Sequence, residues 1–184
     1  MMIIFHLKEQ VTPDNIMVLK KKDIQLYINQ TPPLIEQMKD PDMQIQPNGI
    51  DLTLDQLFSI NGMGTIDFSN KNRQLPKKHP LPYNNAGTIV LKPGVYGITF
   101  REIVHLPNNI MALGRPRSSL IRMGASLITA VWDAGYSGRS EALLNVYNPE
   151  GICIHADARL LQLVFILLTG QTSGYDGIYQ GENI

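Results

Sequence analysis

The sequence predicts a mainly β protein, a distorted β-barrel or jelly roll of the β-clip kind with one short helix near its N-terminus. Three observations carry this. From Thr88 onward the chain is a series of short β-like runs. Turn residues separate these runs at even spacing, the pattern of sandwiches and barrels. Upstream, one short amphipathic run has helical periodicity. With 184 residues, 43% of them hydrophobic, the chain can build one domain with a proper core.

The helix is expected between Leu19 and Asn29, where Leu19, Ile24, Leu26, Tyr27 and Ile28 stand among lysines and Asp23. Pro32 and Pro33 end it. A polar stretch with Pro41 follows, and Gln46-Pro47-Asn48-Gly49 signals a turn. Ile50 to Phe58 alternates as a strand should. Lys71 to Asn85, rich in Pro, Lys and Asn, reads as a surface loop within one domain. The β-like runs are 88–91, 95–100, 110–113, 126–131, 142–147, 151–155 and 160–168. Pro93-Gly94, Pro107-Asn108-Asn109 and Asn148-Pro149 lie between them. The tail, 169–184, is Gly-rich and polar and is expected to be a flexible arm outside the core.

Charged residues make up 17% of the chain and the formal net charge is zero. That balance disfavours a long polyanionic partner, so no nucleic acid is expected. A small phosphorylated ligand needs only a few local arginines. Cys153 is the single cysteine. An intrachain disulfide and a four-cysteine zinc site are excluded, which suits a reducing cytoplasm. The apolar start, Met1 to Phe5, is too short for a signal-peptide core or a membrane span. The run Leu160–Leu168 has the length of a buried strand, not of a bilayer crossing.

Three segments could carry chemistry. Gly114 to Arg122 holds Arg115, Arg117, Arg122, Ser118 and Ser119 directly after an expected strand. Guanidinium forks suit phosphate oxygens, and hydroxyls and turn amides add neutral donors. A solvated basic turn would read the same way. Trp132 to Gly138 places Asp133 between an apolar run and a glycine-punctuated turn. A carboxylate there can orient a water, although a hydrogen-bonded turn is the ordinary use of such an aspartate. Asp51 follows Asn48-Gly49 and opens a strand, with the same two readings. His6, His79, His105 and His155 have no metal-ligand spacing. No nucleophile elbow, Walker loop or zinc-deaminase signature is present, so any nucleotide chemistry is not zinc chemistry.

Taken in order, these segments resemble the superfamily of trimeric dUTP diphosphatases and dCTP deaminases. Gln46-Pro47-Asn48-Gly49-Ile50-Asp51-Leu52 is similar to its opening motif. Leu91-Lys92-Pro93-Gly94 and Leu106-Pro107-Asn108 match two of its turns. Arg117-Ser118-Ser119-Leu120 resembles the phosphate-binding motif, and Asp133-Ala134-Gly135-Tyr136-Ser137-Gly138 the aspartate motif. Arg159 to Leu163 looks like its Gln-Leu strand, and Tyr179-Gln180-Gly181 like the Tyr-Gln-Gly of its C-terminal arm. The likeness spans about Lys20 to Gly181.

Within the superfamily, the deaminases resemble one another in a Thr-Leu-Glu strand whose glutamate moves protons. Ungapped alignment on Asp133 and Gly138 puts Leu143 at that position, and leucine cannot do so. Glu141 lies two residues earlier, on the same strand face, and a local bulge would be needed to bring it into place. Tyr136 and Pro116-Arg117-Ser118 resemble the diphosphatases, while Ser119 and Arg122 resemble the deaminases. The chain is thus similar to an archaeal-type diphosphatase on the deaminase branch. The Gly-rich closing motif of other diphosphatases is absent from its tail.

The resemblance implies a homotrimer with three active sites at subunit interfaces, hydrolysing dUTP to dUMP and pyrophosphate. It implies Mg²⁺ held through the triphosphate and waters, with no direct protein ligand. Asp133 would be the base and Asp51 would support the metal-water shell. Arg117, Ser118, Ser119, Arg122 and Gln162 would hold phosphates, backbone around Ile128 to Val131 would read the uracil, and Tyr136 would face the deoxyribose. Tyr179 would contribute from the arm. The alternatives are a dCTP deaminase or bifunctional enzyme, and a non-catalytic nucleotide-binding member.

Overall fold

The computed structural model describes residues 18–184. The expectations for Met1 to Phe5 and for His6 lie outside the described residues. In chain order the elements are α1 (Lys21–Ile28), β1 (Ile35–Glu36), α2 (Pro41–Gln44), β2 (Ile45–Gln46), β3 (Gly49–Asn61), β4 (Lys77–Pro80), β5 (Thr88–Leu91), β6 (Gly94–Phe100), β7 (Ile103–His105), β8 (Ile110–Pro116), α3 (Ser118–Arg122), β9 (Ala125–Ile128), β10 (Ser137–Gly138), β11 (Glu141–Val146), β12 (Ile152–His155) and β13 (Arg159–Leu167). The fold is mainly β, as the alternating runs predict.

The largest sheet runs β8-β13-β3-β6-β11-β9, with β2 and β4 added to β3. Its two ends come together where Ala112 of β8 bridges Trp132, four residues beyond β9. This contact nearly closes the sheet into a barrel. It also needs Gly114, because a Cβ there would stand 2.9 Å from the Trp132 ring and 2.8 Å from Leu161. Phe100, Phe165, Ile50, Leu52, Ile98 and Leu144 fill the interior and are fully buried. Each such side chain stabilises by about 1.5–3 kcal/mol relative to exposure.

β3 is the central strand, and it changes partner along its length. Residues 50–53 pair with β13, and 54–59 pair with β6. Both pairings shift register at this corner, between Arg159 and Leu161 on β13 and between Leu54 and Gln56 on β3. Such bulges bend a strand, as a barrel corner requires. The predicted turn before it is a two-residue hairpin, Gln46 pairing with Gly49.

Several elements differ from expectation. The helix is shorter than Leu19–Asn29, because the Leu19 amide donates to Phe165 O (3.0 Å) and so belongs to the sheet edge. Asp40 caps α2 by accepting from the Met43 amide (3.1 Å), where only a polar stretch was expected. The Lys71–Asn85 loop contains β4, which pairs with the outer end of β3. The run 126–131 is strand only to Ile128. A small sheet, β1-β7-β10, was not anticipated. Its strands are two or three residues long and too short to show a period.

Candidate active site

Asp51 sits on β3 with only 2% of its surface exposed. Alternation on a central strand points it away from the Ile50 and Leu52 core, and two arginines cover it there. Arg117 Nε lies 2.9 Å and Arg159 Nη1 3.3 Å from the same oxygen, Oδ2. Burial raises the Asp51 pKa above the ordinary carboxylate value, with the Arg117 and Arg159 guanidinium groups opposing the rise. Oδ1 has no hydrogen-bond partner among the described residues.

Arg117 itself is held by the bulge of β13. Its amide donates to Leu160 O (2.9 Å) and Nη1 donates to Arg159 O (3.3 Å). Ser118 and Ser119 follow in the first turn of α3 and are exposed, as is Arg122 at its end. Gln162 lies between Asp51 on β3 and Arg115 on β8 in the sheet register. The structure therefore gathers Asp51, Arg117 and Gln162 at one end of the β8-β13-β3 ladder. Arg159 joins them. Sequence reasoning quoted Arg159 only as the start of a strand; its clue was the basic residue placed at the strand's first position.

Asp133 is exposed on the loop after Trp132, and its carbonyl accepts from the Tyr136 amide (3.1 Å). That is the turn geometry expected of an aspartate in this context, with the carboxylate left at the surface. Main-chain bonds hold the loop: Leu106 N donates to Tyr136 O (2.8 Å), and Gly135 N to Leu106 O (3.1 Å). The small sheet fixes its far end, where Ser137 pairs with His105. Among the described residues, no hydrogen bond or ion pair joins this loop to the Asp51–Arg117 cluster.

Tyr136 is 6% exposed because the tail covers it. Its hydroxyl donates to Glu182 Oε1 (2.8 Å), and its ring meets Tyr175 edge-on at 5.8 Å. Burial and the Glu182 carboxylate both raise its pKa. Gln180 bonds both to Gly135 O (3.0 Å) and to the Ser137 amide (2.9 Å). The tail, expected to lie clear of the core, packs here along the loop of its own chain. Among the described residues no hydrogen bond joins Tyr179 to that loop; its amide donates to the Tyr175 hydroxyl (3.4 Å), and Arg73 stands over its ring at 5.5 Å.

Ile128 and Val131 are exposed beside the loop. Leu143 pairs with Ile128, and β11 keeps an unbroken register from Glu141 to Val146 against β6. There is no bulge to move Glu141 into the place of Leu143. Glu141 is instead ion-paired with Lys78 and hydrogen-bonded by Asn183 (3.3 Å). No group of three His, Cys, Asp or Glu among the described residues is arranged to hold a metal ion. Among the same residues, no helix is long and apolar enough to cross a membrane.

The chain is similar to known proteins of one family. The family model described as dCTP deaminase-like matches residues 18–168. A probable deoxyuridine 5′-triphosphate nucleotidohydrolase of Methanosarcina mazei is 47% identical over 167 residues, 90% of this chain and 98% of its own length. The deoxyuridine 5′-triphosphate nucleotidohydrolase of Methanocaldococcus jannaschii is 44% identical over 140 residues, 75% of this chain and 88% of its own. The crystal structure of the 2′-deoxycytidine 5′-triphosphate deaminase from Agrobacterium tumefaciens superposes with a TM-score of 0.59 at 24% identity. That match covers 82% of this chain and 46% of the deaminase chain, and it speaks for the fold.

Proposed function

The chain belongs to the dCTP deaminase-like family, and from that premise we propose that it is a dUTP diphosphatase, hydrolysing dUTP to dUMP and pyrophosphate. The observation that carries the choice within the family is Leu143. It stands in an unbroken strand where deamination would need a proton-moving carboxylate, and Glu141 is engaged with Lys78. The archaeal relatives named for dUTP hydrolysis support the same choice.

In this reading Arg117, Ser118, Ser119, Arg122 and Gln162 bind the triphosphate. Asp51 keeps Arg117 in place, since its Oδ2 is already taken by two guanidinium groups. Asp133, exposed on a loop anchored by main-chain bonds, accepts the proton of a water directed at the α-phosphorus. Attack forms the new O–P bond as the bond to the β-phosphate oxygen breaks, and pyrophosphate leaves. Phosphoryl transfer asks mostly for positioning and charge neutralisation, which this set supplies. Backbone around Ile128 to Val131 reads the uracil edge, and Tyr136 faces the deoxyribose once the 175–183 segment lifts from it.

The donor set fits a hard divalent cation bound through phosphate oxygens and water, not a caged metal. Mg²⁺ bound in that way neutralises phosphate charge. Asp51 Oδ1, with no partner among the described residues, is the oxygen we assign to its water shell. Because no hydrogen bond or ion pair among the described residues joins the Asp133 loop to the Arg117 cluster, we assign the complete site to the meeting of copies in a homotrimer. Tyr179 of the arm is assigned to substrate binding. We place the enzyme in the cytoplasm, where the free, exposed Cys153 is stable.

The test is pyrophosphate release from purified protein with Mg²⁺, offered dUTP and dCTP in parallel, with the nucleotide products identified. dUMP and pyrophosphate from dUTP alone is the expected result. A uracil nucleotide made from dCTP would replace this reading with the deaminase one. Tight dUTP binding with no product would favour the non-catalytic member.

A further inference from the structure

Glu102, at the bend between β6 and β7, is fully buried and has no cationic partner among the described residues. Three donors converge on its carboxylate. Oε1 accepts from Gln44 Nε2 (2.7 Å) and Thr53 Oγ1 (2.7 Å), and Oε2 accepts from the Thr53 amide (2.8 Å). A buried carboxylate is costly unless it is bonded in this way, and a fold that retains one needs a reason beyond burial.

The reason lies at the corner of β3. Thr53 is the last residue of β3 paired with β13. Its amide is given to Glu102, and its carbonyl accepts from the Arg101 amide (3.0 Å). The next amide, Leu54 N, goes to Ala158 O (2.9 Å). With the Thr53 amide turned away, β13 bulges opposite it, between Arg159 and Leu161. That bulge turns Leu160 O and Arg159 O toward Arg117 and brings Arg159 Nη1 to Asp51. Gln44 closes the other side, since its Nε2 also donates to Asp51 O (2.9 Å).

We propose that Glu102 is a positioning residue: it holds the β3 corner, and with it the β13 bulge that presents Arg117 and Arg159 to the phosphates of the substrate. The proposal rests on the reading of Arg117 as a phosphate-binding residue. It adds Glu102, Thr53 and Gln44 to the machinery, none of which touches substrate.

The experiment compares the full chain with its Glu102→Gln and Thr53→Val variants. Gln keeps the shape of Glu but turns one acceptor into a donor that faces another donor. Thr53→Val keeps the amide and drops only the hydroxyl. Calorimetry with inorganic triphosphate and Mg²⁺ reads the phosphate cluster directly, without catalysis, and deoxyuridine inhibition reads the nucleoside side. Weakening one charged hydrogen bond by about 1.4 kcal/mol is ten-fold in affinity, so triphosphate affinity and KM for dUTP should each worsen about ten-fold in Glu102→Gln. Thr53→Val should show a smaller loss in the same direction, and deoxyuridine inhibition should stay within about two-fold in both.

A folded Glu102→Gln with unchanged triphosphate affinity would overturn the proposal and leave Glu102 as a stabilising residue only. Should that variant fail to fold, unchanged triphosphate affinity in Thr53→Val overturns it equally. An equal loss for triphosphate and deoxyuridine would also overturn it, because the effect would then be general loosening. A wild-type chain that binds triphosphate but does not hydrolyse dUTP would sink the functional reading and leave this proposal standing on its binding result.

Discussion

Arg117 Nε lies 2.9 Å from Asp51 Oδ2, and that carboxylate is almost wholly shielded from solvent. The two residues are far apart in sequence and come from either side of β13: the central strand β3 and the turn after β8. Arg159 completes the group at 3.3 Å. Removing the carboxylate leaves two guanidinium groups facing each other without their shared partner. Both arginines stay partly exposed, so the loss is about 1.5–3 kcal/mol, the range for hydrogen bonds to a charged group. Asp51→Asn is therefore expected to lower the urea midpoint markedly and to weaken inorganic triphosphate binding. Unchanged stability would mean that the arginines are neutralised elsewhere.

Asp133 is placed differently. It is exposed on its loop, and its main-chain contacts do not use the carboxylate. Asp133→Asn should keep the fold and nucleotide binding while turnover falls about 10²–10⁴-fold, the range of general-base catalysis. Calorimetric binding of dUTP and pyrophosphate release measured on one preparation check this. Near wild-type release would assign the base elsewhere.

Glu141 and Lys78 form an ion pair at the barrel surface, with side-chain exposures of 27% and 44%. Exposed pairs contribute about 0–1 kcal/mol. Glu141→Gln should thus change the melting temperature little and leave dUTP turnover within about two-fold. Neither it nor the wild type should release ammonia from dCTP. Ammonia release by the wild type that disappears in Glu141→Gln would show that this carboxylate does serve deamination.

Burial holds the Glu102 carboxyl above its ordinary 4.5, against the pull of its Thr53 and Gln44 hydrogen bonds. Between that ordinary value and the raised one, the folded chain binds more protons than the unfolded chain. The stability this group contributes is complete below the ordinary value and is lost as pH rises through the raised one. Urea midpoints measured from acid to neutral pH should fall across that window in the wild type, and the fall should be shallower in Glu102→Gln. Identical slopes would mean that other groups set the dependence.

Gly97 on β6 lies under the Phe58 ring of β3, where a Cβ would meet the ring at 2.0 Å. Gly97→Ala should destabilise by about 1–3 kcal/mol, the range of overpacking. Phe58→Leu should recover part of that loss in the double variant, because the two residues are in contact. Additive losses in thermal melts would show that the strain lies in the backbone.

The longer strands were legible because their length shows a pattern. The runs 88–91, 95–100 and 160–168 emerge as β5, β6 and β13 within a residue at either end. The three strands of the small sheet were not legible, since two or three residues show no alternation. Their stability comes from neighbours: Ile35 pairs with Val104, and Ser137 with His105. The tail was read as separate from the core because its composition is that of a linker. Its docking depends on Tyr175, Gln180 and Glu182 finding Ala134, Gly135 and Tyr136, none of them near in sequence.

Alternation, turn residues and short motifs are local properties, and they suffice for the mainly β class, the order of the long strands and the family. The leucine at position 143 is likewise read directly from the chain. Folding alone brings Arg117 and Arg159 to Asp51, buries Glu102 against Gln44 and Thr53, and ties Glu141 to Lys78. Each of these is a charge whose state and use depend on what folding brings against it. A carboxylate's surroundings come from strands distant in the chain, and no local pattern records them.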